Sequence, residues 1–183
     1  MRRLSMCLAF LALPVYADPQ PSAGQLASQV EERFKPKADA HGVHWDYTLA
    51  SPYQGAGLRM SYAFNSWFAY GFGGRTLFNV QSDASNSTRY FFSIMPVSQF
   101  IFRYPAIINN FWRPYFVSEL NYLYQFSDGR DSAAIAGKSG VEFFASQNFS
   151  VALEAGISLP FYRNAAAQMP TGGVISVIGA WYF

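Results

Sequence analysis

Two histidines, eleven carboxylates and thirteen basic residues are the whole ionic equipment of this 183-residue chain, and their spacing limits the chemistry on offer. His44 and Asp46, two positions apart, could form a general-base dyad, because proton transfer requires only that base and partner be within hydrogen-bond reach. No Cys or His spacing suits a metal, since the one cysteine is Cys7 near the start and His41 and His44 stand alone. Neither a metal nor a cofactor is expected. The Gly71-x-Gly73-Gly74 cluster has no Lys-Ser/Thr after it and no helix to open, so it reads as a packing feature and not as a phosphate-cradling loop. What remains is a set of isolated charges in apolar sequence: His44, Asp46, Arg59, Arg75, Arg89, Arg103, Arg113, Glu119, Lys138, Glu142 and Glu154.

The elements that hold these charges are unusual in composition. Hydrophobic residues make up 51% of the chain and aromatic ones 19%, while charged residues reach only 13%, roughly half the ~25% of an ordinary soluble domain. So aromatic a chain is not disordered. Residues 1–17 combine Arg2 and Arg3, an apolar run from Cys7 to Leu13, Pro14, and small residues Val15 and Ala17. This is the pattern of a signal peptide cleaved before Asp18, and its apolar run is too short to span a bilayer, which takes about 20 residues. Loss of that segment removes Cys7 and two arginines, leaving eleven basic against eleven acidic residues. Such a balance gives no reason to expect a nucleic-acid partner.

Residues 18–42 are expected to form a segment with a short helix. Leu26, Val30 and Phe34 make one stripe at helical spacing, and Pro36 ends it. From Val43 onward the period is 2. Phe149, Val151, Leu153, Ala155, Ile157, Leu159 and Phe161 alternate with Ser150, Ala152, Glu154, Gly156, Ser158 and Pro160, and the same pattern recurs at 55–64, 67–80, 113–126, 138–145 and 174–183. A soluble sandwich also alternates, but it turns its charges toward water. Here the non-aromatic face is rich in Gly, Ala and Ser with single charges, which suits a narrow lumen, and the aromatic face suits lipid. Strands can cross a membrane only as a closed barrel.

Tight turns are expected at Asn65-Ser66 and Ser146-Gln147, and longer polar connections at 81–88, 127–136 and 162–171. Short turns inside and long loops outside is the rule for such barrels. Adding Val43–Ala50 as the first strand and 89–104 as a long fourth strand, bulged at Pro96, gives eight. Trp45, Trp67, Trp112 and Trp181 then all fall at the inner ends of strands, where tryptophan anchors to a membrane interface.

With that pattern and a terminal Val177-x-Gly179-x-Trp181-x-Phe183 run, residues 43–183 resemble the small eight-stranded bacterial outer-membrane proteins of the OmpA/OmpX type. Trp-Arg-Pro-Tyr at 112–115 and Val-Glu-Phe-Phe at 141–144 look like that family's strand openings and closings. The resemblance implies an all-β, eight-stranded transmembrane barrel in the bacterial outer membrane, monomeric, contacting outer-membrane lipid and lipopolysaccharide. It implies too that Trp181 and Phe183 form the C-terminal signal for the barrel assembly machinery. It implies no activity. OmpA's peptidoglycan-binding domain follows its barrel and is not expected in a sequence that stops at Phe183.

An eight-stranded lumen is just wide enough for side chains to fill it. Arg59, Arg75, Glu119, Glu142 and Glu154 are therefore expected to form an ion network that plugs it, with the three glutamates at similar depth and sharing cations. The competing readings are a small pore and a lipid A-modifying enzyme, the acyltransferase and deacylase of that type also being eight-stranded barrels. Those enzymes use a His and a Ser near the outer face or wall, whereas both histidines here map to the opposite end. The expected role is accordingly non-enzymatic, structural or surface-interacting.

Overall fold

The computed structural model describes residues 40–50, 53–82, 88–109, 111–126, 129–164 and 172–183. All lie in one compact unit, Arg33–Phe183. The expected signal peptide, the helix at 23–35 and the domain boundaries at 17 and 42 concern residues that are wholly or mostly outside those described.

Eight strands follow one another: β1 (Gly42–Ala50), β2 (Tyr53–Ala63), β3 (Phe68–Ser82), β4 (Thr88–Arg103), β5 (Trp112–Gln125), β6 (Arg130–Phe144), β7 (Phe149–Arg163) and β8 (Gly172–Tyr182). Each pairs antiparallel with the next, and β8 pairs back onto β1 from Gly42↔Tyr182 to Ala50↔Val174. The result is a closed barrel without a free edge. No helix occurs among the described residues.

Alternation sorts the side chains as the period requires. In β7, Val151, Leu153 and Ile157 are exposed on the outside, and Ser150, Ala152, Glu154 and Ser158 are buried inside. The outer surface carries most of the large apolar residues, including Trp45, Leu58, Phe72, Phe100 and Leu120. A glycine is forced at one place on it. The Trp45 ring packs against Gly179 on the neighbouring strand, where a Cβ would come within 2.3 Å of the indole.

The hairpin turns are longer than the sequence suggested, spanning 64–67 and 145–148. One device shapes both. Asn65 Oδ1 accepts from the backbone N–H groups of Trp67 (3.0 Å) and Phe68 (2.8 Å), and Ser146 Oγ accepts from those of Asn148 (3.3 Å) and Phe149 (3.1 Å). A side-chain oxygen thus replaces the backbone partner that a tight turn leaves out.

Three expectations are corrected. Strand β6 begins at Arg130, so most of the loop expected at 127–136 is strand. Its inward residues there are Ser132, Ala134 and Ala136, all fully buried, and on the outer phase only Ile135 is large and apolar, too little to mark an alternation. Pro96 makes no bulge. The β3–β4 ladder runs unbroken through Gly74↔Pro96, and on the other side Met95 and Pro96 are left without β5 partners while the β4–β5 register is the same before and after them, so the missing N–H interrupts the pairing without shifting it. The shift lies between β6 and β7 at Ala133/Ala134, beside Pro160. Finally, connection length does not separate the two ends of the barrel, since 104–111 is as long as 164–171. What separates them is content: both chain ends of the barrel and the four tryptophans share the end closed by 64–67, 104–111 and 145–148.

Candidate functional site: the barrel interior

Period 2 aims one residue in two from every strand at the barrel axis, and the single charges of the sequence fall on that phase. They meet in two tiers. The first is a belt to which seven consecutive strands contribute. Asp46 of β1 pairs with Arg59 Nε of β2 at 2.6 Å and Arg75 Nε of β3 at 2.9 Å. Arg75 then grips Glu119 of β5 with both terminal nitrogens, at 3.1 and 3.0 Å, and Gln99 of β4 donates to the same carboxylate. Lys138 of β6 bridges Glu119 at 2.5 Å and Glu154 of β7 at 2.6 Å. The Tyr115 hydroxyl donates to Glu154 at 2.9 Å. Thr48, beside Asp46, bonds Ser176 of β8 at 3.0 Å. Every charged member of this belt is buried.

The belt needs room, and glycine supplies it. A Cβ on Gly73 would lie 2.2 Å from the Leu58 carbonyl oxygen and 2.9 Å from Arg59 Cγ. Of the Gly71-x-Gly73-Gly74 cluster, Gly71 is buried and Gly73 half-buried on the inner phase, while Gly74 faces outward.

The second tier lies toward the tryptophan-bearing end. Arg113 of β5 and Glu142 of β6 are register partners and pair at 2.8 Å. Glu142 also accepts from Ser150 Oγ at 2.6 Å and from the Tyr182 hydroxyl. Arg103 of β4 lies over the Tyr182 ring, 5.7 Å from its centroid. His44 meets the same ring edge-on and bonds Ser61 Oγ through Nε2 at 2.7 Å.

Between the tiers is a cavity of about 20 Å³ bordered by His44, Arg59, Arg103, Tyr115, Glu142 and Tyr182, among others. Toward the opposite end the interior holds an apolar cluster of Tyr53, Leu77, Met95, Val97, Leu123 and Ala134. Among the described residues no three His, Cys, Asp or Glu side chains are grouped to hold a metal.

Of the five charges expected to act together, Arg59, Arg75, Glu119 and Glu154 do share the belt. Glu142 does not. Its register partner Arg113 is six residues from Glu119 on β5, which puts it in the other tier. The His44–Asp46 dyad is not formed either, because Asp46 holds two arginines and His44 turns to Ser61. Arg89 lies in β4, and its side chain falls outside the described set. Sequence reasoning missed Gln99, Tyr115 and Tyr182. Aromatic residues were assigned to the outer face, yet Tyr115 is on the phase of Arg113 and Glu119, and Tyr182 alternates with Trp181 and Phe183. Parity alone could have found both.

Around the outside, Trp45, Trp67 and Trp181 are exposed and Trp112 is half-buried. Trp45 stacks on Phe149 with ring centroids 5.8 Å apart, and Phe149 continues to Trp181 at 6.5 Å.

The fold is similar to that of two solved outer-membrane proteins. OprG from Pseudomonas aeruginosa matches at a TM-score of 0.46 with 11% identity, over 82% of this chain and 95% of that one. Ail, the attachment invasion locus protein of Yersinia pestis, matches at 0.40 with 14% identity, over 78% and 94%. No family model matches the chain. No curated protein matches it either.

Proposed function

We propose that the chain is an integral bacterial outer-membrane protein whose barrel is a closed body with a structural or surface-interacting role, and that it neither conducts nor catalyses. The observation that carries this reading is the interior, where two ionic tiers and an apolar layer fill the described lumen around a cavity of about 20 Å³. That is enough for about one water molecule and far below the ~300 Å³ or more of a typical ligand pocket. The apolar outer wall supports placement in lipid, with Trp45, Trp67, Trp112 and Trp181 as interfacial anchors, outer-membrane lipid and lipopolysaccharide as its surroundings, and Trp181 and Phe183 as the signal to the assembly machinery.

Planar bilayers test the closed interior. Purified protein should give no steady conductance, and stepwise currents altered by Glu142→Gln would overturn the reading in favour of a pore. One observation favours a lipid-modifying enzyme instead, the 2.7 Å His44–Ser61 contact. Both residues are buried, which leaves a lipid no approach to them. Mass spectrometry of lipid A from cells with and without the protein decides between the two. A mass change that disappears with Ser61→Ala would establish the enzyme.

A further inference from the structure

We propose that Arg103 forms a binding site for one small monovalent anion, of the size of chloride, inside the barrel. The first observation is charge balance. Among the described residues the buried interior holds five cations and four carboxylates, and the carboxylates are all taken. Asp46 is held by Arg59 and Arg75, Glu119 by Arg75 and Lys138, Glu154 by Lys138, and Glu142 by Arg113.

The second observation is Arg103 itself. It is 6% exposed, and its Nη1 is buried without a hydrogen-bond partner. It lies over the face of Tyr182, which attracts a cation but accepts no in-plane N–H bond, and the Glu142 carboxylate borders the same cavity without giving Nη1 a hydrogen bond. A buried charge is normally paired, because desolvating it alone is expensive.

The third observation is the cavity. Arg103 borders the space of about 20 Å³ between the two tiers, together with His44, Arg59 and Gln99. Two carboxylates border it too, but their oxygens already receive donors: Arg113, Ser150 and Tyr182 for Glu142, and Lys138 and Tyr115 for Glu154. The open valence at this space is therefore a donor on a cation, and its complement is an acceptor carrying negative charge. The volume admits one atom-sized ligand. Acetate, gluconate and phosphate are too large.

The test compares sodium chloride with sodium gluconate at equal ionic strength, following urea unfolding of the refolded barrel in detergent micelles. A ligand bound only by the folded state multiplies the folding equilibrium constant by one plus the ratio of its concentration to its Kd. Chloride at about a hundred times its Kd should thus favour folding about 100-fold over gluconate, and the stabilisation should keep rising with the logarithm of chloride concentration above Kd. Crystals grown in bromide should show one anomalous peak against Arg103 Nη1. Arg103→Met should refold in gluconate and lose the chloride response. Equal midpoints in the two salts would overturn the proposal, as would a water at Nη1 in bromide crystals or a full chloride response in Arg103→Met. Should that variant not refold, the parent's salt comparison and the bromide peak decide alone.

Discussion

Lys138→Met cuts the belt at its most connected point while leaving side-chain length nearly unchanged. The Lys138 ammonium lies 2.5 Å from Glu119 and 2.6 Å from Glu154. The two carboxylates do not suffer equally. Glu119 keeps the bidentate Arg75 and the amide of Gln99, whereas Glu154, only 3% exposed, keeps the Tyr115 hydroxyl. An ion pair at about 4 Å in an effective dielectric of about 20 is worth about 4 kcal/mol, and breaking one partner of a buried pair typically costs about 3–5 kcal/mol. The single substitution should therefore destabilise by about 3–5 kcal/mol, nearly all of it from the stranded Glu154 carboxylate. Adding Glu154→Gln removes that charge and still offers an acceptor to Tyr115, so the double variant should recover about 1–3 kcal/mol as a coupling energy. Urea unfolding in lipid vesicles, followed by tryptophan emission, measures all four corners of the cycle. A Lys138→Met loss below about 0.5 kcal/mol, the range of an ordinary surface substitution, or strict additivity in the double variant, would refute the belt as an energetically coupled unit.

Leu153→Arg places a charge on the outer wall at a residue 54% exposed, and in a bilayer it should cost about 2–4 kcal/mol. Ser158→Arg points inward at a buried position and is limited by space and nearby charge; a Leu153→Arg variant as stable as the parent in refolding assays would mean that face does not meet lipid. Gly73→Ala drives a methyl to within 2.2 Å of the Leu58 carbonyl oxygen and should destabilise by about 1–3 kcal/mol, whereas Gly74→Ala, with only a backbone oxygen at 3.9 Å, should be neutral in the same unfolding experiment. Cell fractionation should recover the folded protein with outer membranes, in a form whose gel mobility changes on boiling; recovery as a soluble protein would remove lipid as the reason for the aromatic wall.

Strand number, strand phase and most strand limits were legible because lipid and lumen impose opposite demands on adjacent residues, and Val151-Ala152-Leu153-Glu154 records both. The start of β6 was not legible. Ser132, Ala134 and Ala136 face inward and Ile135 alone is large and apolar on the outer phase beside them, which is too little to mark an alternation, and the polar Ser-Asp-Gly-Arg before them reads as loop. Site membership was legible residue by residue, but pairing was not. Depth in a barrel depends on the stagger between strands, which sequence alone does not give, and that stagger sets Glu142 level with Arg113 and leaves Arg59 to Asp46. Pro96 misled for a related reason, since a proline's effect on a ladder depends on whether its nitrogen faces a pairing partner.

The belt also bears on how this chain finds a single register. Small residues on the inner phase and aromatic ones on the outer tolerate sliding of one strand past another by two residues, which preserves the faces. A slip of two between β5 and β6, in either direction, would part Arg113 from its register partner Glu142, and in one direction it would also carry Glu119 further from Lys138. A slip of one would be worse, since it turns every inward residue outward and carries charges such as Arg75 and Lys138 into lipid at about 2–4 kcal/mol each near the midplane. Buried ion pairs contribute little net stability against an apolar core of the same shape, and their best-attested use is in fixing register. Because seven of the eight strands contribute to the belt and the eighth, β8, is tied to it through Ser176 and Thr48, correct pairing at one hairpin constrains the next, around to the seam between β8 and β1.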